Sequence, residues 1–99
     1  MVEQNLYAPI DPIVEKWVEE NSLKLFRAFA ERAARFVYIT SSRGECFQIS
    51  IQPPQDGEAK VDAWTIETLD DREMHEEWVM PVTALYEALQ NALITVRRW

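Results

Sequence analysis

The residues whose types could do chemistry fall in one run, Asp70-Asp71-Arg72-Glu73-Met74-His75-Glu76-Glu77. A histidine among carboxylates has two uses. It can act as a general base steered by an acid, or it can give one nitrogen to a divalent cation held otherwise by oxygen. His75 is the only histidine in the chain, and Asp70, Asp71 and Glu73 are the carboxylates placed to work with it. Their spacing matches no motif in which such ligands converge, and on a hairpin loop they would splay into water. Neither catalysis nor a metal site is therefore expected, and a small metal-dependent enzyme using His75 stands as the alternative.

Other reactive groups are scarce. Cys46 is the single cysteine, which excludes an intrachain disulfide and a thiolate-rich zinc site. It follows Glu45, whose charge is the wrong sign to stabilise a thiolate, so a structural cysteine is expected. The only glycines are Gly44 and Gly57, too few for a glycine-rich phosphate loop. Ser41-Ser42-Arg43-Gly44 has the composition of an anion-binding loop, but it joins two predicted strands and lacks the helix dipole such loops use. No cofactor is expected.

Charge is the sharper signal. The 99 residues carry a formal net charge of -7, and residues 41–80 hold ten acids against three bases. From 56 to 77 the acids are Asp56, Glu58, Asp62, Glu67, Asp70, Asp71, Glu73, Glu76 and Glu77, against Lys60 and Arg72. Such a field repels phosphate backbones and anionic lipid and speeds encounter with basic surfaces. The competing reading is that acids on loops and edge strands merely maintain solubility and block edge pairing. The bases Lys24, Arg27, Arg32 and Arg35 read as the solvent face of an amphipathic helix.

The elements that must position these groups read as a helical opening, a strand-rich middle and a helical close. Residues 1–10 are expected as a flexible or extended lead-in. Asp11-Pro12 signals a helix N-terminus, with Ile13, Val14, Trp17 and Val18 as its apolar stripe. Ser22 suits the cap of a second helix bearing Leu23, Phe26, Ala30 and Ala33, with Leu25 and Phe29 beside them, unless one bent helix spans both. Strands are predicted over 36–40, 46–52, 60–68 and 75–80, ended by Pro53-Pro54 and Pro81. Val82, Leu85, Tyr86, Leu89, Leu93 and Val96 then recur at helical steps, with Arg97 and Arg98 at the negative end of the dipole.

The fold class is α+β in two layers: one domain over 1–99, a four-stranded antiparallel meander with helices on one face, in the order α-α-β-β-β-β-α. Phe47, Ile49, Ile51, Trp64, Ile66 and Trp78 are expected to face the helices. Gln48, Ser50, Gln52, Ala63, Thr65, Glu67, Glu77 and Val79 would form the open face. Trp17, Trp64 and Trp78 read as core, whereas Trp99 is either folded back or free for a partner. No stretch has the roughly 18 apolar residues of a membrane span, and residues 1–12 lack a signal-peptide pattern, so a cytoplasmic chain without membrane contact is expected.

These features lead us to expect a small acidic, non-catalytic interaction module that binds, neutralises or escorts a partner protein of basic character. Asp70, Asp71, Glu73, Glu76, Glu77 and Glu67, or the open sheet face, would make the contact. Nucleic acid is not expected as a ligand. Self-association through the mild face bearing Ser50, Ala63, Thr65 and Val79 is a further expectation.

Overall fold

In the computed structural model, which describes residues 6–28, 34–69 and 71–99, the chain enters its first helix through a tight turn. The Tyr7 carbonyl accepts from the backbone N–H groups of Ile10 and Asp11, and the Tyr7 and Ile10 side chains are buried in the core. The described part of the lead-in, residues 6–10, is thus packed rather than free. Helix α1 spans Asp11–Glu20, with Ile10 at the N-cap and Pro12 in the first turn. Asp11 is not the cap. Its carboxylate instead takes the Arg35 guanidinium, Nε to Oδ1 at 3.1 Å and Nη2 to Oδ2 at 3.4 Å.

The expected second helix is absent among the described residues. Ser22 adopts φ 55, a left-handed conformation that ends α1 instead of capping another helix. The chain continues extended, and Leu23 and Leu25, two residues apart, both pack against the core. That is the period of a strand. Strand β1, Phe26–Ala28, follows and pairs with β2, Ala34–Thr40, in the register Phe26↔Phe36 and Arg27↔Arg35. Cross-strand ring contacts account for the choice: Phe26 stacks on Phe36 at 5.5 Å and meets Tyr38 edge-on at 5.3 Å. Phe29, Ala30, Arg32 and Ala33, assigned to that helix from the sequence, lie outside the described residues. Arg35, expected on a solvated helix face, is buried on a strand with its guanidinium 4.4 Å from the Tyr7 ring.

Three more strands complete the sheet: β3 (Cys46–Ile51), β4 (Glu58–Glu67) and β5 (His75–Pro81). All neighbours are antiparallel, and the spatial order β1-β2-β3-β4-β5 is a meander of five strands, one more than the sequence suggested. Pro81 does not end the pairing before itself; it is still opposite Glu58 at the close of the β4–β5 ladder. A 3-10 turn, Val82–Ala84, then leads into helix α2, Leu85–Arg98. The protein is an α+β fold, with five antiparallel strands and two α-helices among the described residues.

Helix α2 lies over β2 to β5, and α1 packs against α2. The covered core joins Val37, Ile39, Phe47, Ile49, Ile51, Ala59, Val61 and Ala63 to Leu85, Leu89, Ala92, Leu93 and Val96 of α2 and Val14 and Trp17 of α1. The register Ile49↔Ala63 and Ile51↔Val61 puts β4's small residues under the helices. Trp64 and Ile66, and with them Lys60 and Asp62, therefore point the other way. The expected phase of β4 was one residue out, which exchanges its two faces. Burying Lys60 and Asp62 under α2 would cost more than leaving an indole and an isoleucine at the surface, so the charges decide the phase.

The C-terminal end is tied down from two loops. Ser42 N–H donates to the Arg97 carbonyl at 2.9 Å. Glu45, whose side chain has no solvent exposure, accepts from Arg72 Nη2 at 2.5 Å and from Leu69 N–H at 3.2 Å. The same Arg72 nitrogen reaches the Trp99 carbonyl at 2.8 Å, and the Trp99 ring meets Phe47 edge-on at 5.2 Å. Trp99 is folded back onto the domain. No helix among the described residues is long and apolar enough to cross a membrane.

Candidate functional site on the open sheet face

Alternation along five strands gives the sheet a second face that no helix among the described residues covers. At its β1 edge lie Phe26, Phe36 and Tyr38, three rings within 5.3–5.6 Å of one another, with Lys24 Nζ 5.1 Å above the Phe26 ring. Gln48 and Ser50 of β3 occupy the middle, opposite Trp64 and Asp62 of β4. Toward the β5 edge, His75 is opposite Trp64, Glu77 opposite Asp62, and Val79 opposite Lys60. Tyr38, Ile66 and Val79 are each about half exposed. The face is aromatic at one side and acidic at the other.

Two grooves open beside it. The larger, about 770 Å³, is lined by Trp64, Ile66 and Met74, by Thr65 and Thr68, and by Asp71, Glu73 and His75. Its shape depends on the loop between β4 and β5. Thr65 closes that loop: its hydroxyl donates to the Met74 carbonyl and accepts from the Met74 N–H, at 3.3 and 2.7 Å. Asp71 holds φ 56 at the bend, a conformation aspartate tolerates better than most residues. The second groove, about 580 Å³, runs past Pro53, Pro54 and Lys60 to Val79.

The acidic residues singled out from the sequence separate into three groups. Asp71 and Glu73 line the larger groove. Glu77 lies on the open face and Glu76, opposite Ala63, on the other. Glu67 is exposed at the end of β4, across from Cys46, where the β3–β4 register slips between Cys46 and Phe47. Asp70 lies outside the described residues. The mild face expected for self-association is not assembled as one surface, because Ala63 is buried under the helices while Val79 lies on the open face. Ser50, though on the open face, is itself buried between its neighbours.

Among the described residues, the carboxylates that converge with His75 are Asp62 and Glu77, one ligand atom of each lying within 4.8 Å of the others. Asp71 and Glu73 do not join them. The Asp62 side chain is only 10% exposed, with Oδ2 accepting from Gln52 Nε2 at 3.3 Å and Oδ1 3.8 Å from His75 Nε2. Glu77 Oε2 is 3.3 Å from Lys60 Nζ. Asp62 was missed as a site residue because the sequence reading had β4 in the opposite phase. The signal was present: Lys60 and Asp62 share parity with Trp64, and charges two apart on a strand mark its wet face.

Cys46 is half-buried, and burial, helped by the Glu67 carboxylate, pushes its thiol above the ordinary range. Little thiolate forms near neutrality, so it is a poor nucleophile. Comparison with family models, curated proteins and solved structures found no significant match. The functional reading therefore comes from the class the fold defines, an α+β domain with one uncovered sheet face, and from the side chains on it.

Proposed function

We propose that this protein is a non-catalytic interaction module. Its open sheet face and adjoining groove dock a segment of a partner protein that presents lysine or arginine around an apolar side chain. The observation that carries this reading is the larger groove, whose lining brings Trp64, Ile66 and Met74 together with Asp71 and Glu73. An aromatic anchor with charge at the rim is the usual division of labour at a protein interface. The charge of -7, concentrated in residues 41–80, supports a basic partner and speaks against nucleic acid or an anionic membrane. A cytoplasmic protein that escorts or neutralises such a partner fits these properties.

The test uses the full chain against synthetic peptides of three kinds: basic residues flanking leucine or tryptophan, the same peptides with serine at the apolar position, and acidic counterparts. We expect selective binding of the first kind, weakening steeply as salt rises and lost in Trp64→Ala. Equal retention of acidic peptides, or binding insensitive to ionic strength, would remove this reading. A dimer in sedimentation that dissociates on Ile66→Ser would put a second copy of the chain on the face instead of a basic partner.

A further inference from the structure

We propose that Asp62, His75 and Glu77 form a binding site for a divalent transition-metal ion of the zinc type. The inference shares His75 with the groove lining but does not rest on the docking reading: three side chains carry it, and it is tested with the metal alone. Antiparallel pairing of β4 with β5 places Asp62 directly opposite Glu77, while His75 precedes Glu77 by two residues and so shares its side of β5. All three point away from the helices. Their ligand atoms lie within 4.8 Å of one another. In a tetrahedral site with bonds of about 2.0–2.2 Å they would stand closer. The His75 and Glu77 side chains, 61% and 43% exposed, have the rotational freedom to close in.

Two features distinguish this group from acids scattered on a surface. First, Asp62 is nine-tenths buried and already oriented: Gln52 holds Oδ2, which leaves Oδ1 aimed at the His75 ring, 3.8 Å away and too far for a hydrogen bond. A ligand fixed by a neighbouring amide is the arrangement found around bound metals. Second, Asp62 and Glu77 form a directly opposed like-charge pair, which repels unless a cation lies between or beside them. Lys60 relieves part of that repulsion from the Glu77 side, and a divalent ion in reach of both carboxylates would relieve all of it.

The donor set selects the ion. Magnesium and calcium take oxygen ligands, whereas one imidazole with two carboxylates suits zinc or cobalt. Three protein ligands on an open face leave a fourth position toward solvent, where water or a partner's side chain can bind.

The test is titration of the intact protein with Zn²⁺, and with Co²⁺ for its visible absorption, each alone and in the absence of any peptide. We expect one ion per chain, a rise in thermal midpoint that grows with metal concentration, and a Co²⁺ spectrum carrying a nitrogen ligand. His75→Gln and Glu77→Gln should each weaken binding by at least about tenfold, and Gln52→Ala by about tenfold through the lost orientation of Asp62. Lys60→Gln should tighten binding by freeing Glu77, an effect that a purely structural role for these residues would not produce. Glu87→Gln, exposed on α2, should leave the affinity unchanged. The proposal is overturned by the absence of saturable binding, by a preference for Mg²⁺ or Ca²⁺, or by Zn²⁺ affinity that survives His75→Gln.

Discussion

The two faces of the sheet are built from the same five strands, yet they solve different problems. Under the helices, β4 contributes Ala59, Val61 and Ala63, small enough for α2 to approach, while β3 supplies the bulk with Phe47, Ile49 and Ile51. On the other side β4 contributes Lys60, Asp62 and Trp64, and β5 adds His75 and Glu77. One face spends its side chains on burial; the other keeps polar groups beside exposed aromatic ones. The lesson is that chemistry-bearing residues here are set by strand parity, so a position's neighbours two residues away say more about its role than its adjacent ones.

Substitutions that break the contrast should differ most on the covered face. Phe47→Ala removes a fully buried ring and its edge-on contact with Trp99, and a loss of about 3–5 kcal/mol is expected in chemical denaturation. Tyr38→Ala, a ring on the open face and 45% exposed, should cost far less. Equal losses from the two would mean that the open face is covered by something in solution.

Glu45→Ala comes next. It strands the Arg72 guanidinium, which loses its carboxylate partner but remains 30% exposed and still reaches the Trp99 carbonyl, so about 1–3 kcal/mol is expected. Protease susceptibility of the C-terminal segment should rise with it, because Glu45 and Arg72 connect that end to the β2–β3 and β4–β5 loops.

Smaller still is Tyr7→Phe, which deletes a buried hydroxyl donating to the Ile51 carbonyl at 2.8 Å and should cost about 1 kcal/mol at neutral pH. The effect depends on pH with a defined sign. Burial raises the Tyr7 pKa above 10.0, partly opposed by Arg35, so the folded state favours the protonated phenol. Its contribution is complete below the unfolded value of 10.0 and is lost as pH rises through that value toward the higher folded one. Urea midpoints of the parent chain should fall over that alkaline interval more steeply than those of the phenylalanine variant. A parallel fall would mean that Tyr7 ionises as freely folded as unfolded.

How much of this was legible in the sequence follows from what each signal measures. The alternation Phe47, Ile49, Ile51 is unambiguous because every intervening residue is polar, and α2 was legible for the same reason at helical spacing. Strand β4 misled because its largest apolar residues, Trp64 and Ile66, sit on the open face, while its residues under the helices are two alanines and a valine. Ranking by size chose the wrong parity, and the charges at 60 and 62 held the right one. Strand β1 was hidden because Leu23, Phe26 and their neighbours also satisfy a helical stripe; pairing of Phe26 with Phe36 and its edge-on contact with Tyr38 settle it. The candidate site was half legible. His75 and Glu77 stood out in the acidic run, but Asp62 comes from β4 and the amide of Gln52 from the residue after β3, and only register brings them together.

A small stability effect belongs to the residue with the largest expected functional one. Trp64 lies on the open face opposite Gln48 and His75, only partly buried, and it lies outside the core cluster under α2. Trp64→Ala should therefore cost about 1 kcal/mol, a fraction of the loss at Phe47. Yet the indole lines the groove together with Asp71 and Glu73, so the same variant should abolish capture of basic apolar peptides. Paired thermal and binding measurements on this one variant give the sharpest contrast between the two faces. A large fall in midpoint would show the indole supports the fold as Phe47 does; an unchanged midpoint with unchanged binding would show that the groove docks nothing.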